Sequence, residues 1–140
     1  MERNVDVSHL NNLGTSVPYD RYSNPTPELL EVFDNPCKDR QYITEFVFSE
    51  FSSLCPKTGA PDFGVITIRY YPDQFCLETK ALKIYMGAYR QHGSFMEAVT
   101  NKILDDLVSV CQPLAMHITA EFNRRGGTDI TVTAEYSKEA

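Results

Sequence analysis

"DFGVITIRYYPDQFCLETKALKIYMGAYRQH", residues 62–92, changes character halfway along, and that change sets the fold class. Its first part, "DFGVITIRYYP", is dense in β-branched and aromatic residues and reads as a strand. Pro72 and Asp73 make a turn, after which "QFCLETK" is a further strand candidate. From Ala81 the pattern is helical, with Leu82, Tyr85, Met86 and Tyr89 recurring on one face until Gly93 breaks the run.

Working outward, "QYITEFVFSEF" (41–51) reads as a strand before the quoted stretch. After it, "SFMEAVTNKILDDLVSVCQP" (94–113) places Val99, Ile103, Leu104, Leu107, Val108 and Cys111 along one helical stripe and stops at Pro113. "AMHITAEFN" and "DITVTAEY" then alternate around "RRGGT", whose two glycines suit a hairpin. Upstream, Thr26 and Pro27 predict a short helix over "TPELLEVF", and residues 1–25 predict irregular chain. Strands, two helices, then strands describe an α+β domain over 1–140, an antiparallel sheet with both helices on one face. The open edges of such a sheet predict pairing with other subunits into a larger sheet or barrel.

Composition narrows the function. The chain of 140 residues carries 42% hydrophobic and 23% charged residues, ordinary values for a domain with a real core. A net charge of -6 argues against a broad nucleic-acid footprint, which needs clustered Lys and Arg, but leaves room for a local basic pocket. No apolar run approaches the ~20 residues of a membrane span, and "MERNVDVSHL" has no apolar secretion core, so the expectation is a cytoplasmic protein without a membrane partner. The four cysteines form no CxxC pair and predict free thiols rather than a metal site.

Cys55 lies in a loop restricted by Pro56, Gly59 and Pro61, with Lys57 nearby to favour a thiolate. On residues alone it is either a reactive thiol or a small hydrophobe. Cys76 in a strand and Cys111 on the helix stripe read as structural, and Cys37 as a loop thiol. Asp62, seven positions after Cys55, is either a strand-end residue or a proton donor or acceptor folded back beside the thiol. Glu78, Lys80 and Lys83 cluster where strand gives way to helix, and Arg124 and Arg125 sit at a hairpin tip; each set is either solvated or phosphate-binding. Ser94 followed by Glu97 has capping-box spacing, while a free Glu97 could accept two N–H bonds from a heterocycle edge. His9, His92 and His117 are scattered, and none completes a thiol–imidazole pair in sequence.

Together these segments resemble the NADPH-dependent 7-cyano-7-deazaguanine reductases, the nitrile reductases of queuosine biosynthesis. "FSSLCPKTGAPDF" is similar to the family's nucleophile loop and "ETKALKIY" to its signature, while "YRQHGSFMEAV" and "FNRRGGTDI" match two further segments, so the likeness runs from about Tyr42 to Ile130. The resemblance implies a tunnelling fold whose subunits join sheets into barrels, with active sites between subunits and short members forming a decamer of two pentamers. It implies Cys55 as the nucleophile that adds to the nitrile carbon and Asp62 as the proton donor to nitrogen. Leu77, Glu78, Thr79, Met96 and Glu97 would bind the substrate, Glu97 anchoring the deazaguanine ring. Lys80, Lys83 and Arg125 would hold NADPH. Thr79 stands where Ser or Leu is common, Ala60 where Gln is frequent, and Met96 where members usually carry a histidine; methionine neither shuttles a proton nor donates a hydrogen bond. Two other readings suit the same fold: a transferase acting on the same nitrile in tRNA, as archaeosine synthases do, and a non-catalytic binding protein.

Overall fold

A computed structural model describes residues 23–139. The irregular segment expected over 1–25, and His9 within it, lie almost wholly outside the described residues. Six strands and two α-helices follow: β1 (Val32–Asp34), β2 (Thr44–Leu54), β3 (Pro61–Tyr71), β4 (Phe75–Leu77), α1 (Thr79–Gly87), α2 (Met96–Cys111), β5 (Ala115–Arg125) and β6 (Thr128–Ser137). The main sheet is antiparallel in the order β2-β3-β5-β6, so β2 and β6 are its edges.

Alternation along the strands decides which face meets the helices. Ile66, Ile68 and Tyr70 of β3 and Met116, Ile118 and Ala120 of β5 point inward and are at most 1% exposed. Against them α1 lays Leu82 and Tyr85, and α2 lays Val99, Ile103, Leu107 and Cys111, all with no exposed surface. Burial of each such aliphatic side chain stabilises the fold by about 1.5–3 kcal/mol. The same burial pushes the Cys111 thiol up to about 12, as its structural reading requires. A 3-10 turn (Ala88–Gln91) prolongs α1, and α2 ends with Gln112 in the left-handed region (φ 48°) just before Pro113.

Two sequence expectations are corrected. The helix expected over "TPELLEVF" is only a 3-10 turn, Pro27–Leu29, capped by Thr26; the chain then extends into β1. β1 pairs with β4 through Val32↔Leu77 and Phe33↔Cys76, so "QFCLETK" contributes three residues to a separate two-stranded sheet. Pro27 started the helix as expected, but backbone pairing of Val32 and Phe33 with Leu77 and Cys76, which suits their β-branched and aromatic side chains, stops it from continuing. Asn35 locks that pair, its N–H donating to the Gln74 carbonyl and its side-chain amide to that of Asp73, both across the turn read at Pro72 and Asp73.

Candidate active site

Cys55 occupies the loop of the β2–β3 hairpin, which closes at Leu54↔Pro61. The Cys55 N–H donates to the Ala60 carbonyl (2.8 Å) and the Gly59 N–H returns to the Cys55 carbonyl (2.9 Å). Gly59 takes φ 71°, a conformation that a side chain would strain. The thiol is half-buried, and its pKa is lowered by hydrogen bonds from the Thr58 hydroxyl and then from the Thr58 and Lys57 N–H groups; nearby Asp62 opposes them weakly. The loop thus does act on the thiol, but through turn N–H groups and a hydroxyl rather than through the Lys57 charge. Thr58 was missed, although a threonine three positions after a cysteine in a Pro–Gly turn was its visible signal.

Asp62 is the second residue of β3, is 4% exposed and forms an ion pair with the Arg125 guanidinium. Two bulges bring these groups together. Between Phe48 and Phe51 the β2–β3 register slips, so that Phe51 and Ser53 face inward opposite Gly64 and Asp62. Between Phe122 and Arg125 the β5–β6 register slips again, just before a two-residue turn in which Gly126 and Gly127 take φ 57° and 74°. Arg125 is thereby aimed at Asp62, while Arg124 makes a forked bond to Asp129.

The start of α2 lies beside this hairpin. The Leu54 N–H donates to the His92 carbonyl, and the Ser94 N–H to the Leu54 carbonyl, both at 3.0 Å. The capping box expected from Ser94 and Glu97 does not form: Phe95 is the N-cap, with no side-chain bond to the helix. Because Ser94 uses its backbone to hold Leu54, Glu97 is left exposed on the first turn with no capping task. Met96 packs against the core, and Phe95 stands 59% exposed next to it. His92 lies against the hairpin through its backbone; its imidazole meets the edge of Tyr89, and burial followed by the Lys102 charge keeps it neutral near pH 7.

The other expected site residues stand elsewhere. The Leu77 N–H donates to the Tyr70 hydroxyl (2.9 Å), which fixes the β4–α1 junction at the far end of β3. Tyr70 lies eight positions beyond Asp62, about 26 Å at a rise of about 3.3 Å per residue. There Glu78 caps α1, accepting from the N–H groups of Lys80 (2.9 Å) and Ala81 (2.7 Å), and those bonds lower its pKa. Leu77 and Thr79 border a shallow cavity of about 220 Å³ with Phe33, Tyr42 and Tyr70. Lys80 and Lys83 make no ion pair among the described residues, and Lys83 lines a groove of about 390 Å³ between β2 and α1, with Gly87 and Arg90. Arg90 was not singled out in the sequence, where it is one cation at the end of a helical run.

The chain therefore gathers Cys55, Asp62, Arg125, Met96 and Glu97 at one end and holds Leu77, Glu78, Thr79 and Lys80 at the other. Comparisons with known proteins agree with the sequence resemblance. The family model described as QueF-like protein matches residues 61–140. A protein of Nitratidesulfovibrio vulgaris named NADPH-dependent 7-cyano-7-deazaguanine reductase is 50% identical over 133 residues, covering 95% of this chain and 80% of the relative. A protein of the same name from Chlorobaculum tepidum is 54% identical over 111 residues, 79% of this chain and 95% of the relative. The crystal structure of an archaeosine synthase QueF-Like in the apo form superposes with a TM-score of 0.64 over 70% of this chain and 96% of that one; at 18% identity it bears on the fold alone. On these matches the chain belongs to the QueF-like family.

Proposed function

We propose that this chain reduces the nitrile of 7-cyano-7-deazaguanine to the primary amine 7-aminomethyl-7-deazaguanine with NADPH, a step of queuosine biosynthesis for tRNA modification. The observation that carries the reading is the hairpin itself, in which a thiol with a lowered pKa sits beside a buried carboxyl group. A nitrile accepts hydride poorly, whereas a protonated thioimide accepts it well. The Cys55 sulfur forms a bond to the nitrile carbon, one C–N π pair moves to nitrogen, and Asp62 delivers a proton there. Paired with Arg125, the carboxylate can first take the proton that the thiol releases, so no outside acid is needed for this step. Glu97, free of capping, accepts from the N–H edge of the deazaguanine, and the Leu77–Thr79 segment borders the ring.

The basic residues fit a phosphate-bearing dinucleotide. Lys83 and Arg90 are two helical turns apart along one groove, about 10 Å, with the missing side chain of Gly87 between them, while Lys80, one turn earlier, lines a separate cavity with Glu28, Glu31 and Glu78. These basic residues would hold NADPH, which supplies hydride twice per nitrile. Arg125 is withdrawn from that set by its bond to Asp62.

Because the two groups of site residues lie about 26 Å apart along β3 in one subunit, a complete site needs the far end of a neighbouring copy. Pairing between the open β2 and β6 edges would bring it there, in a cytoplasmic decamer of two pentamers built from one such domain per chain. No helix among the described residues is long and apolar enough to cross a membrane. Incubation of the protein with 7-cyano-7-deazaguanine and NADPH tests the reading. Two NADPH consumed per amine formed is the expected result; no consumption together with no mass adduct on Cys55 would refute it.

A further inference from the structure

Ser53 has no exposed surface, and its hydroxyl is the one buried side-chain N or O atom without a hydrogen-bond partner among the described residues. It stands directly across the β2–β3 ladder from Asp62, and both side chains face inward. Residues so opposed place their Cβ atoms about 5 Å apart, and a serine hydroxyl swings over the remaining gap by turning about χ1. An orphaned buried hydroxyl costs stability, so an alanine here would suit the fold better. The bulge between Phe48 and Phe51 turns Ser53, rather than Leu54, toward the acid.

We propose that Ser53 is a positioning residue for Asp62: its hydroxyl turns to donate a hydrogen bond to the carboxylate that remains when Asp62 gives its proton to the nitrile nitrogen. This rests on the nitrile-reductase reading above. Arg125 holds one carboxylate oxygen, Oδ1, throughout. Ser53 loses no proton; it donates to the carboxylate regained once Asp62, having taken the thiol's proton, gives it to nitrogen as the sulfur–carbon bond closes and the C–N π pair moves there. The free hydroxyl is thus a donor held ready for the carboxylate that is restored when Asp62 passes the thiol's proton on to nitrogen. The other titratable group at Asp62 is the Cys55 thiol from the loop, while His92, on the segment against Leu54, feels Lys102.

The test is the rate of adduct formation on Cys55, followed by mass spectrometry with 7-cyano-7-deazaguanine and no NADPH. For Ser53→Ala the melting temperature should hold or rise and substrate binding should be unchanged, while adduct formation slows at least about tenfold. Ser53→Thr, which keeps the hydroxyl, should recover to within about threefold of wild type. A Ser53→Ala rate within about twofold of wild type would overturn the proposal. So would a Ser53→Thr variant as slow as Ser53→Ala at wild-type melting temperature, because side-chain volume would then be the cause. Failure of the wild-type protein to form any adduct would instead remove the nitrile-reductase reading itself, and this proposal with it.

Discussion

The two ends of β3 are built on different principles. At the Tyr70 end the polar groups are satisfied: the tyrosine hydroxyl accepts from Leu77, Glu78 caps α1, and Asn35 bonds across the Pro72–Asp73 turn. At the Asp62 end a carboxylate is buried with one cationic partner, a serine hydroxyl has none, and a cysteine is held in a turn that lowers its pKa. Satisfied and unsatisfied polar groups are thus separated along one strand, and the proposed thiol and acid lie where local rules fail.

The largest effect comes from separating the ends genetically. Cys55→Ala and Glu78→Ala should each abolish turnover, by about 10³-fold or more for the proposed nucleophile. Dissociated and reassembled together at equal amounts, the two variants should regain about a quarter of wild-type activity, since about one site in four then takes both ends intact from different subunits. A mixture as inactive as its components would show that one subunit supplies both ends, contrary to the proposed assembly.

Arg125→Ala attacks the reactive end by removing the partner of a buried carboxylate. Breaking a buried pair from one side costs up to about 3–5 kcal/mol; with Arg125 44% exposed, about 1–3 kcal/mol is expected, along with a turnover loss on the order of 10²-fold. Urea unfolding beside turnover checks both. Loss of stability with unchanged turnover would leave Arg125 a purely structural residue.

Glu78 offers a smaller effect at the satisfied end. Its pKa in the fold is below the unfolded value, because the Ala81 and then the Lys80 N–H groups hold the charged form. The cap therefore contributes fully above the unfolded carboxyl range, near pH 4.5, and is lost as pH falls through the lower folded value. Glu78→Gln should lower the melting temperature at pH 7, with the difference narrowing by pH 3. A difference that persists unchanged into acid would exclude the charge as its source.

How much of this was legible follows the same division. The helix stripes, the Gly–Gly hairpin and the Cys76 and Cys111 burial could be read because periodicity and burial are properties of neighbouring residues. β1 was misread because its pairing with β4 is nonlocal and overrode a valid Thr–Pro helix start. The Ser94–Glu97 box failed because Leu54, forty residues earlier, captured the Ser94 backbone. Cys55 and Asp62 could be nominated from their loop, but the bulges that set Ser53 and Arg125 around the acid depend on register, which no short pattern encodes.

Met96 gives the smallest expected effect and the sharpest comparison within the reactive end. It is the first residue of α2, partly buried against the core, beside the exposed Phe95 and Glu97. Its thioether cannot donate a hydrogen bond or move a proton, and His92 sits nearby as a neutral, half-buried ring against Tyr89. If proton supply in this chain runs through Cys55 and Asp62, Met96→His should change turnover less than about tenfold, in the direction of a gain, with the effect confined to the slower protonation of the reduced intermediate. Adduct formation on Cys55 should not change. A gain of about 10²-fold or more, or a faster adduct, would move the acid's work from Asp62 toward the start of α2 and erase the contrast between a chemical hairpin and a binding helix.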